Sequence, residues 1–217
     1  MNVKIYSHNF AESILSQEPF KGTYDELLSI CKNTPLPIYK NKSNAQKKLD
    51  VIQQLMDSYL NLQLKVKGWT SDGHFKINNT EYITIDYKKS VSDRKSEYNL
   101  HLEVEFGNVA SSYRNYFKVQ FLHNKNASDI GILILPTESL AKRIDSGVAN
   151  FEKAVAEITS ASELFSLPVL VIGLDDSNTD ELALINSDLT LKQLQSKANT
   201  KHELLIIDYI KKIENMN

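Results

Sequence analysis

The sequence predicts an α/β fold, and three observations carry that prediction. Two short, nearly continuous apolar runs, Ile130–Leu135 and Pro168–Leu174, read as strands buried on both faces by helices. Apolar residues recur at intervals of three and four over Lys47–Leu64 and again over Lys201–Ile213, the pattern of amphipathic helices. With 217 residues, 41% of them hydrophobic, and only seven Gly and five Pro, the chain is long enough for one sizeable core and short for two. A single domain over residues 1–217 is expected.

In chain order, Val3–Ser7 reads as a short strand and Asn9–Ser16 and Tyr24–Lys32 as helices, the second with Leu27, Leu28 and Cys31 at helical spacing. Pro35 and Pro37 break the pattern. The Lys47–Leu64 helix carries Leu49, Ile52, Leu55, Met56, Tyr59 and Leu62 as a core stripe. In the loop Gly68–Gly73, Trp69 is expected to plug the core. Two strands, Tyr82–Tyr87 and Asn99–Phe106, are joined by a lysine- and serine-rich loop. Asn108 is placed to cap a helix running to about His123. One face of that helix carries Val109, Tyr113, Tyr116, Phe117 and Phe121, while Ser111, Arg114, Asn115 and Lys118 recur on the other, either as a solvated face or as a contact surface. Thr137–Ile158 is helical but interrupted at Ser146-Gly147, where backbone can approach a ligand. In the last helix Leu204, Ile207, Ile210 and Ile213 form an apolar stripe that Ile206 widens.

The carboxylates of the second strand need a reason. A period of two puts Glu103 and Glu105 on one face, opposite Val104 and Phe106, in a strand otherwise made of Leu, Val and Phe. Like charges repel and burial penalises both, so a cation is wanted there. Asp86 reaches the same point if the two strands pair. Three hard-oxygen donors without Cys or His suit Mg2+ and not Zn2+. The alternative is that both glutamates line the solvent face of an edge strand.

Composition narrows the function classes. A net charge of −2 argues against a general nucleic-acid coat, which needs excess Lys and Arg. Charge is nonetheless segregated: seven lysines fall between Lys32 and Lys67, Lys88, Lys89, Arg94 and Lys95 crowd one loop, and the acidic surplus comes late, around Asp175, Asp176, Asp180 and Glu181. Such runs are commonly solvated faces, yet they permit a basic cleft. The single Cys31 excludes an intramolecular disulfide and reads as a small buried hydrophobe. Met1–Ser13 lacks an apolar core segment and the longest apolar run is too short to span a bilayer, so a cytoplasmic location without a membrane partner is expected. His8, His74, His101, His123 and His202 show no metal-pair spacing, and no phosphate loop, serine elbow or Cys–His pairing is present.

Asp86, Glu103 seventeen positions on, then Val104, Glu105, Phe106, Gly107, Asn108 and a helix opening Val-Ala-Ser-Ser-Tyr-Arg resemble the catalytic segment of the BamHI/BglII/BstYI group of type II restriction endonucleases. The run from Asp129 to Val155 and the LPVLVIGL segment at Leu167–Leu174 are similar to that group in order and spacing, and the resemblance covers Lys65 to Leu174 best. It implies a restriction-endonuclease-like central mixed sheet of five or six strands flanked by helices. It implies Mg-dependent hydrolysis of double-stranded DNA by a homodimer at a palindrome with a GATC core. Asp86 and Glu103 would hold the metal, and Glu105 would act as base or further ligand. A polar or acidic residue near the Trp69 loop joins the site in that group, and Asp72 is the candidate, although turn chemistry also accounts for an Asp before a Gly. Asn108 and Arg114 would read the inner base pairs, Ser111 lies with them, and Asp145-Ser146 holds the outer reading position. A repair nuclease and a catalytically inactive DNA-binding protein of the same fold are the alternatives.

Overall fold

The computed structural model describes residues 1–40, 42–71, 75–77, 81–184, 187–197 and 200–215. The chain runs β1 (Asn2–His8), α1 (Ala11–Leu15), α2 (Lys21–Lys32), β2 (Leu36–Ile38), α3 (Gln53–Val66), β3 (Phe75–Ile77), β4 (Glu81–Ile83), β5 (Tyr87–Ser92) and β6 (Glu97–Val104). It continues with α4 (Val109–Asn124), β7 (Ile130–Pro136), α5 (Glu138–Ile144), α6 (Phe151–Ser160), β8 (Val169–Asp175), β9 (Glu181–Ala183), α7 (Leu191–Leu194) and α8 (Thr200–Glu214).

Five strands form the main sheet in the order β1-β8-β7-β6-β5. The two apolar runs are its central strands, and β6, β7 and β8 are mutually parallel while β1 and β5 close the edges antiparallel. Along β7 and β8 successive side chains go to opposite apolar layers. Ile132, Ile134, Leu170 and Ile172 join the large core with α2, α3 and α5, whereas Leu133, Leu135, Val169 and Val171 meet α4 and α6. Both faces are therefore covered, which is why these strands read as unbroken hydrophobic runs. Each such side chain contributes about 1.5–3 kcal/mol by leaving water. Trp69 fills the larger core at 2% exposure, and Cys31 is buried there too.

Two element boundaries and the buried face of one helix differ from the sequence reading, each for a tertiary reason. The expected strand Tyr82–Tyr87 is split between β4 and β5, and the lysine- and serine-rich stretch is mostly strand. Asp93 Oδ1 accepts the backbone N–H groups of Lys95 (2.7 Å) and Ser96 (2.8 Å), which closes a tight turn and leaves Lys88–Ser92 to pair with Glu97–His101. Residues 47–52 are not helical, because Asp50 and Val51 donate their N–H groups to Arg143 O and Ile52 donates to Pro37 O. Those donors are then lost to a helical ladder. In α8 the stripe is shifted toward its widening residue: Ile206 is buried together with His202, while Leu204 is 56% and Ile207 36% exposed.

Candidate active site

The β5–β6 hairpin brings the carboxylates together. Tyr87 pairs with Leu102, so Asp86, one residue before β5, stands beside Glu103. Its Oδ2 accepts the Val104 N–H at 3.0 Å, which pins the side chain to the end of β6. Glu103 lies between two paired strands, opposite Leu133 of β7, and is 1% exposed. Both of its oxygens accept from Lys118 Nζ, at 3.0 and 2.8 Å. Glu105 continues the same face just past the strand: Oε1 accepts the Gly107 N–H at 2.6 Å and Oε2 accepts from Asn115 Nδ2 at 3.1 Å. The two glutamates thus share one face and look toward α4, and the solvent-face alternative is excluded for Glu103.

Burial, and after it the nearby charge of Asp86, pushes the Glu103 carboxyl up to about 7, against the pull of Lys118. Burial likewise raises Glu105, opposed chiefly by the Gly107 N–H. A cavity of about 490 Å3 opens at this end of the sheet, lined by Asp86 and Glu105, by Asp57 and Asn61 of α3, and by Lys197 and Glu203. Asp57 pairs with Lys197 at 2.9 Å, and its carboxyl is raised by burial first and further by the charge of Asp86. Asp57 drew no attention in the sequence because a lone acid on an amphipathic helix reads as solvated. Its one signal is Asn61 four residues on, a second polar group on the same side of α3. Asp72 lies outside the described residues.

The helix α4 is turned differently from its expected orientation. Asn115 (5% exposed) and Lys118 (9%) face the sheet, while Tyr113 (54%) and Phe117 (63%) face outward. The reason lies in β6, which presents Leu100 and Leu102 to the large core but His101 and Glu103 to α4. A helix packed over that half of the sheet must answer polar groups with polar groups. Farther along, Tyr116 and Val119 reach the apolar half with Leu133 and Leu135.

The family model for restriction endonuclease BglII/BglIII matches residues 3–174. The chain belongs to this family. It is a family of type II restriction endonucleases, DNA-cleaving hydrolases. Among solved structures, the BglII/BglIII-family chain is similar to restriction endonuclease BglII complexed with a DNA 16-mer, with TM-score 0.61 and 19% identity over 80% of this chain and 78% of that one. Free BglII aligns with TM-score 0.54 and 17% identity over 80% and 79%. At these identities the likeness establishes the fold, a central mixed sheet flanked by helices. Comparison with curated proteins gives no match.

Restriction endonucleases of this fold typically use divalent metal ions. The donor set fits such an ion chemically, since Asp86, Glu103 and Glu105 are hard oxygen groups. Each carboxylate is also engaged by a donor of the protein itself, and among the described residues no three acidic, His or Cys side chains are grouped as a metal cluster. The reading positions expected for the BglII/BglIII-family chain fall at one place. Asn108 and Val148 bridge, Val109 N donates to Gly147 O at 3.1 Å, and Ala149 N donates to Gly107 O at 2.9 Å. The start of α4 and the Asp145-Ser146 loop, far apart in sequence, are therefore joined by backbone bonds. Asn108, Arg114, Asp145 and Ser146 are all exposed, and Ser111 lies in the first turn of α4.

Proposed function

We propose that this chain is a site-specific endonuclease that hydrolyses both strands of double-stranded DNA at a short palindrome with a GATC core, using Mg2+ in the cytoplasm. The observation that carries the reading is the hairpin that sets Asp86 beside the buried Glu103, with Glu105 next on the same face and Asp86 and Glu105 lining a polar cavity. Asp86 and Glu103 would hold the ion. When bound, it supplies stabilisation of charge on the scissile phosphate and a lowered pKa of a bound water. Glu105, oriented by Gly107 and Asn115, assists as base or as a further ligand, and Asp57 adds a carboxylate to the cavity wall.

Sequence is read next to this site. The resemblance implies inner readers at Asn108 and Arg114, and the residue types suit that task, Asn for adenine and Arg for guanine in the major groove, each discriminating by about 1–3 kcal/mol. Asp145-Ser146 lacks a long cationic reader, so the outer pair is degenerate or unread. Two strands need two sites related by the symmetry of the palindrome, and a two-fold homodimer supplies them. The exposed rings of Tyr113 and Phe117 on α4 are one apolar patch available to a second copy, beside the more exposed Phe10, Val66 and Leu164 elsewhere.

Incubation with plasmid and genomic DNA tests this reading. Discrete bands with Mg2+, none with EDTA, and fragment ends carrying GATC are expected. Smeared products indicate an unspecific or repair-type nuclease, and no cutting by the folded protein rejects the assignment. Asp86→Asn and Glu103→Gln should each lower cleavage at least ~1000-fold while DNA binding persists, as expected where an ion stabilises the transition state.

A further inference from the structure

The strand that carries Glu103 and Glu105 brings no cation of its own, and α4 supplies one. Lys118 is buried, and its single ammonium bonds both oxygens of Glu103, at 3.0 and 2.8 Å. An ammonium shared between the two oxygens of one carboxylate occupies the position that an ion chelated by that carboxylate would take. Resting on the metal-dependent reading above, we propose that Lys118 is a resident cation that competes with the divalent ion for Glu103, so that the ion loads only as the ammonium withdraws from at least one oxygen.

Three further features support this. Lys118 is pointed inward by the polar half of β6, and a buried lysine without a carboxylate partner is disfavoured, so the pair is the reason the side chain is tolerated there. Glu105 is held by Gly107 and Asn115 and leaves Glu103 as the ammonium's partner. The surroundings also remain acidic: Asp86 and Glu105 stand near Glu103, Asp57 lines the cavity with them, and Lys118 and Lys197 offset only part of that charge. Lys118 thereby lowers the affinity of the empty site for cations, and the charge it carries is available to an incoming phosphate once Glu103 has taken the ion.

Calorimetric titration of Mn2+ into the full chain without DNA tests the competition directly. Lys118→Met, which keeps the length and removes the charge, should bind Mn2+ at least ~10-fold more tightly than the wild type, and Lys118→Arg should stay within about threefold of it. Circular dichroism checks folding, and if Lys118→Met does not fold, Lys118→Gln serves with the same expected direction. Unchanged or weaker Mn2+ binding in the neutral variant overturns the proposal. Wild-type cleavage of plasmid DNA is followed separately: its absence counts against the endonuclease reading, whereas a wild type that cuts alongside a neutral variant with unaltered Mn2+ affinity rejects only the role of Lys118.

Discussion

At the scale of single residues, the costs of burial are visible outside the carboxylates. His101 is 4% exposed, stands opposite Lys88 across the β5–β6 pair, and has no hydrogen-bond partner at Nδ1. Burial, and then the charge of Lys88, lowers its pKa to about 4. Between pH 7 and pH 5 the unfolded chain takes up a proton on this ring while the folded one does not, so acidification draws the equilibrium toward unfolding. The stability lost to this group over that interval is about 2 kcal/mol. Urea unfolding at the two pH values should show a pH-dependent difference smaller by that amount in His101→Phe, and an identical difference would refute the assignment. Arg143 is the opposite case, a side chain whose charge is fully used. It bonds Asp50 through Nε and Nη2, Asp176 through Nη1 and Glu181 through Nη2, at 2.9 to 3.1 Å. Arg143→Met strands Asp176, whose side chain is 8% exposed, and should cost about 2 kcal/mol, less than for a fully buried pair because the arginine is itself partly exposed. A loss under ~0.5 kcal/mol in denaturant would place these contacts among surface pairs of little weight.

At the scale of elements, the helices over the sheet are positioned by what the strands leave room for. Gly173 of β8 lies against α6, and a Cβ there would stand 2.7 Å from Phe151 Cγ. Gly173→Ala should therefore cost about 1–3 kcal/mol by overpacking. Gly131→Ala would meet the far end of Leu167 at 2.9 Å, a side chain able to shift, and should cost less. Thermal unfolding of the two variants compares them, and a larger loss at Gly131 would contradict this account of how α6 sits. Strand identity was legible from sequence at β7 and β8 because both of their faces are apolar. The same was not true of α4. A period of 3.6 shows which residues share a face, but not which face meets the sheet. That choice was made by His101 and Glu103 on β6, and it reversed the roles expected for Asn115 and Lys118 on one side and Tyr113 and Phe117 on the other.

At the scale of the whole molecule, the outward rings of α4 and the proposed symmetry of cleavage make a joint prediction. If the chain is a two-fold dimer through that helix, Phe117→Glu should yield monomers in equilibrium sedimentation, and it should convert double-strand cutting to nicking or loss of activity. A dimer that persists in this variant would move the interface elsewhere.

The sequence by itself determined the α/β class and the two central strands, because these rest on local pattern, and its resemblance over Lys65–Leu174 pointed to the family; it brought Asp86 to Glu103 only on condition that their strands pair, which the β5–β6 hairpin meets. Trp69 in the core follows the same local logic. Only the tertiary structure decided that residues 47–52 give up a helix to bond Arg143 and Pro37, that α8 turns His202 inward to Ser58, that Asp57 lines the candidate site's cavity, and that Lys118 pairs with Glu103. Each of these depends on partners supplied by distant segments. The physical reason is that a backbone donor or a buried charge is satisfied by whatever group the fold brings within about 3 Å, and no periodicity along the chain records which group that will be.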